Sequence, residues 1–152
     1  MNFVATPSLE GSAAFSPDGR WVAYASNEPG SSEIYVQPYP GPGGRIRITS
    51  EGGRGPAWSS DGRELFYISG SRLMAVPIEA GSGFTAGSSR PLMELAPAVS
   101  PGSSVFPRDY DIALDGQHFV FVRIIEGSWR PSQRILVLNW FEELKRLVPR
   151  GR

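Results

Sequence analysis

AAFSPDGRWVAYAS, residues 13–26, is the stretch on which the fold turns. It holds a short apolar strand, a turn ending in Asp18-Gly19, and a second strand of strong β character. Gly accepts positive φ and Asp satisfies local turn donors, so Asp-Gly between two apolar strands signals a hairpin. Two more stretches align with it, PAWSSDGRELFYIS (56–69) and YDIALDGQHFVFVR (110–123). Pro17 presets φ in the first copy, whereas Ser60 and Leu114 stand there in the others, so the turn rests on Asp-Gly alone. After each turn the residues alternate or run apolar, as in a sheet packed on both faces.

Working outward, EIYVQ (33–37), LMAVPI (73–78) and RILVL (134–138) read as third strands, and RIRIT (45–49) and PLMEL (91–95) as outer fourth strands. The alternation in RIRIT suits a half-exposed edge. Asp18, Asp61 and Asp115 lie 43 and 54 residues apart. The first interval is that of a four-stranded propeller blade, and the second carries extra loop. That loop, within 79–107, is expected to be partly ordered by Phe84, Val99 and Phe106. Beyond the third copy the spacing becomes helical: Trp140, Leu144 and Leu147 share one face, predicting a helix over 140–148 stopped by Pro149. NFVAT (2–6) precedes the first copy as RIRIT precedes the second, so it reads as the outer strand of a preceding blade.

SPDGRWVAYAS followed by EIYVQPYP resembles the TolB-type β-propeller repeat, a relative of WD repeats, over roughly residues 2–139. The tail LVLNWFEELKRLVP is similar to the C-terminal end of bacterial proteins in which such a propeller follows a serine/threonine kinase domain. The chain has no Gly-rich kinase loop, HRD-type loop or DFG, so kinase activity does not carry over. The expected fold is all-β: three four-stranded blades, half of a six-bladed propeller, plus a short C-terminal helix. The blades run about 13–50, 56–95 and 109–139, the third completed by strand 2–6 of a partner chain. Propellers close with about four to eight blades. Two chains exchanging strands would make the six-bladed ring that the resemblance implies, an obligate homodimer. The alternative is an open fragment of a larger protein.

Composition narrows the function. With 152 residues and 40% apolar side chains the chain can build a core. Fifteen basic against fifteen acidic side chains speak against nucleic acid. The longest apolar runs, Phe119–Val122 and Ile135–Leu138, are too short for a membrane span. No signal peptide is read at the start of the chain, so it is expected to be cytoplasmic as given. Absence of cysteine removes disulfides, thiolate metal sites and a thiol nucleophile. Gly-rich GPGGR (41–45) and EGGRG (51–55) lack the Lys-Ser/Thr of a P-loop and read as turns.

In such folds the innermost strands line a channel, and the loops before them (7–12, 51–55 and 96–109) form its mouth. Glu10, Arg54, Arg108, Asp109 and Asp111 are expected there. They would be solvated loop charges, or the lining of a site for a protein or small-molecule ligand. Whether the chain is an enzyme stays open. The rival to a binding scaffold is a metal-dependent hydrolase of esters, lactones or phosphotriesters. His118, Asp109 and Asp111 would hold a divalent ion such as zinc, because imidazole and carboxylate suit it and it generates hydroxide at neutral pH. Six-bladed propellers of the paraoxonase and gluconolactonase type work this way, but none of their motifs is present. His118, the one histidine, reads equally as an ordinary strand residue.

Overall fold

A computed structural model describes residues 8–81, 83–95, 108 and 110–121. Among them the chain is built of antiparallel strands and turns, with no helix long and apolar enough to cross a membrane. The expected strands 2–6 and 134–138, and the expected helix over 140–148, lie outside the described residues.

The first sheet is β1 (Glu10–Phe15), β2 (Trp21–Ser26), β3 (Glu33–Pro38) and β4 (Ile46–Arg47), neighbours in that order. The second has β5 (Arg54–Trp58), β6 (Glu64–Ser69) and β7 (Arg72–Ala80), with β8 (Phe84–Ala86) and β9 (Arg90–Glu94) both paired to β7. A hairpin of β10 (Tyr110–Ile112) and β11 (Phe119–Phe121) follows.

All three Asp-Gly turns form as the sequence requires. Gly19, Gly62 and Gly116 have φ of 70°, 71° and 66°, values that only glycine adopts without strain. Each glycine N–H donates three residues back, to Ser16, Ser59 or Ala113. Within the turns, Ser16 Oγ donates to Asp18 Oδ1 at 2.6 Å and Ser59 Oγ to Asp61 Oδ1 at 2.7 Å. Ala113 has no hydroxyl, and there Asp115 instead accepts from the backbone of Gln117 and contacts the ring of His118.

Alternation along the strands sets the packing. Ala23, Ala25, Ile34 and Val36 of the first sheet meet Trp58, Leu65, Tyr67, Val76 and Ile78 of the second. Ala57, Phe66, Ile68, Leu73 and Ala75 on its other face meet Tyr110, Phe119 and Phe121 of the hairpin. The second sheet is therefore buried on both sides, which its run Leu65–Ile68 demands. Burying one such side chain stabilises by about 1.5–3 kcal/mol. The first strands of the three units, β1, β5 and β10, lie next to one another in that order.

Two expected edges come out differently. RIRIT pairs only at Ile46–Arg47, because the Thr49 hydroxyl, not a backbone carbonyl, accepts the Ile34 N–H at 2.9 Å. That hydroxyl in turn donates to the buried carboxylate of Glu33. In the second sheet β9 covers Arg72–Ala75 and β8 covers Ile78–Ala80. The changeover falls beside Pro77, which has no N–H to give a ladder.

Candidate functional site

The end of the strands away from the Asp-Gly turns gathers three of the expected mouth residues. β5 starts at Arg54 and then bulges, with Gly55 at φ 59° and the register with β6 shifting between Arg54 and Ala57. The bulge turns the Gly55 carbonyl toward the hairpin, where it accepts the Tyr110 hydroxyl at 2.7 Å. A methyl group on Gly55 would stand 3.4 Å from the Cα of Arg108. Arg108 in turn sets its Nη2 3.5 Å from Asp111 Oδ1. Burial pushes the Tyr110 phenol far up, and the fields of Arg108 and Arg54 only partly oppose this. The phenol is therefore a neutral anchor, with the guanidiniums and the exposed carboxylate of Asp111 around it.

The other expected residues are placed differently. Glu10 stands opposite Ser26 in the first sheet, where its charge acts on Tyr24. Asp109 lies outside the described residues. His118 follows the third Asp-Gly turn, and its Nδ1 contacts Asp115 Oδ2, whereas Asp111 pairs with Arg108. With the Asp115 carboxylate as acceptor, Nδ1 is the protonated nitrogen of His118. Among the described residues no group of three His, Cys, Asp or Glu side chains is placed to hold a metal ion.

The turn end has its own features. Ser60 Oγ donates to the Leu114 carbonyl at 2.8 Å, and a methyl on Gly62 would stand 3.5 Å from Pro17 Cδ, so consecutive turns touch. A cavity of about 610 Å³ opens there among Asp18, Asp61, Arg63 and Pro77–Ala80. Its two aspartates are engaged by their own turns. The Ser16 hydroxyl and Arg20 hold the Asp18 carboxyl down at about 2, and the Ser59 hydroxyl lowers that of Asp61.

Three side chains escaped sequence reasoning. Tyr110 looked like any strand tyrosine. Glu33 opens an apolar strand yet is buried, bonded by Thr49, Ser31, Arg47 and the Gly52 N–H. Phe15 is 57% exposed, although aligning the three copies puts it in register with Trp58 and Ile112, and that alignment was the signal available. No family model matches the chain, and no curated protein does. Among solved structures it is similar to the crystal structure of TolB from Acinetobacter baumannii, at 18% identity and a TM-score of 0.43, covering 83% of this chain and 40% of that one. The chain thus spans less than half the length of that protein.

Proposed function

We propose that the chain is a non-enzymatic β-propeller scaffold of the TolB type, half of a six-bladed ring that closes by pairing with a second copy. Its ligand, a protein or a small molecule, binds at the mouth of the channel. One observation carries this: β1, β5 and β10 each open a repeated unit and lie side by side. Their starts bring Arg54, Arg108 and Asp111 around the buried Tyr110. Cations beside a carboxylate on a rigid, phenol-anchored support suit polar recognition. Proton transfer would need a group of perturbed acidity open to substrate, and Tyr110 is buried.

Sedimentation equilibrium of the purified chain at micromolar concentration tests the assembly. A folded species of about twice 16.5 kDa is expected. A folded single-chain species rules the paired ring out.

A further inference from the structure

Each unit sends the last residue of its first strand toward the unit before it. In the second sheet this residue is Trp58, buried against the first sheet with Nε1 donating to the Ala14 carbonyl at 3.0 Å. In the hairpin it is Ile112, packed on the core shared with the second sheet. Alternate residues of the next strand follow the same rule. Leu65 and Tyr67 face the first sheet, and Phe119 and Phe121 face the second. In the first sheet the corresponding residues are Phe15, Val22 and Tyr24. Val22 and Tyr24 are buried, but Phe15 is 57% exposed and meets Tyr39 edge-on at 5.0 Å between ring centroids.

We infer that Phe15 is the anchor of a docking face for another unit of the same repeat, the β10–β11 hairpin of a second copy. This rests on the paired-ring reading and names its seam. Two junctions within the chain show what covers this face: the neighbouring sheet, through the residues at the positions of Ala23 and Phe66. On the hairpin that position is Val120, half-buried on the side turned away from the second sheet. An aromatic ring needs apolar surface and no particular acceptor. Phe15 therefore fits against Val120 without the carbonyl that Trp58 requires. Two such contacts related by a two-fold axis would close the assembly.

Sedimentation velocity of the unaltered chain, Phe15→Asp and Leu114→Asp separates the outcomes. Leu114 is 89% exposed at the tip of the third turn and serves as the control. The unaltered chain and Leu114→Asp are expected to sediment as two copies. Phe15→Asp should dissociate at least tenfold more readily, with an unchanged far-ultraviolet circular dichroism spectrum. If Phe15→Asp pairs as tightly as the unaltered chain, the seam is wrong while the paired ring stands. If the unaltered chain is a folded single copy, the ring falls and the seam with it. Should Phe15→Asp fail to fold, Phe15→Cys carries the only thiol and takes an environment-sensitive dye. Its emission must shift to the red on dilution through the dissociation range, and concentration-independent emission overturns the seam.

Discussion

A single backbone angle shows how far one residue can depart from its type. Ser12 sits at φ 53° in the bulge where the β1–β2 register shifts between Gly11 and Ala14. The matching bulge of β5 has Gly55 at φ 59°. A left-handed conformation costs a non-glycine residue about 1–2 kcal/mol, and the Ser12 hydroxyl is buried with no hydrogen-bond partner. Ser12→Gly is therefore expected to stabilise the fold by about 1 kcal/mol, read as a higher urea midpoint. Glu33 behaves oppositely. Burial alone would raise its carboxyl, but the bonds from Thr49, Ser31, Arg47 and Gly52 outweigh that and hold it below its ordinary value. Glu33→Ala strips partners from the Thr49 hydroxyl and the Gly52 N–H and should cost about 2–3 kcal/mol in the same denaturation. Neither feature was legible in the sequence. A serine in a short strand gives no sign of positive φ, and a glutamate opening an apolar strand looks like a solvated end. The Asp-Gly turns were legible, because their chemistry is complete within six residues.

Strands were legible where periodicity spoke and obscure where a side chain replaced the backbone ladder. β2, β3, β6 and β7 follow from apolar runs, whereas RIRIT stops short because Thr49 substitutes its hydroxyl. β8 was hidden in a Gly- and Ser-rich stretch, and of its residues only Phe84 announced itself, as a loop anchor. Its ring lies 4.8 Å from that of Trp21 and 6.4 Å from that of Trp58, so the short strand fastens the first sheet to the second. Phe84→Ala should lower stability by about 2 kcal/mol, somewhat less than a fully buried phenylalanine would. It should also move tryptophan emission to longer wavelength as both indoles gain water. Unchanged emission would mean that β8 contributes nothing to this junction.

Taken whole, the molecule holds several carboxylates below their ordinary range. Asp18 is at about 2 against 3.8, and Asp61, Asp115 and Glu33 are lowered too. Carboxyls of lower pKa in the folded than in the unfolded chain lend stability that is fully present above the ordinary values of 3.8 and 4.5. That stability drains away as pH falls toward 2, because the unfolded chain takes up protons first. The urea midpoint should accordingly fall between pH 5 and pH 2.5, and Asp18→Asn should make that fall shallower. A midpoint independent of pH over this interval would show that the turns do not depend on charge. Stacking of the units could be foreseen from their two-faced strands, but which residue fits which neighbour could not, since it depends on seams between distant segments. At one seam the indole of Trp58 finds the carbonyl of Ala14, while Phe15 and Ile112, at the same place in their units, have no hydrogen to offer. The three units share a turn yet are not interchangeable parts. A chain rearranged to begin with the second unit would carry its indole to a neighbour never shaped to receive it, so serial order is written into the seams as well as the backbone.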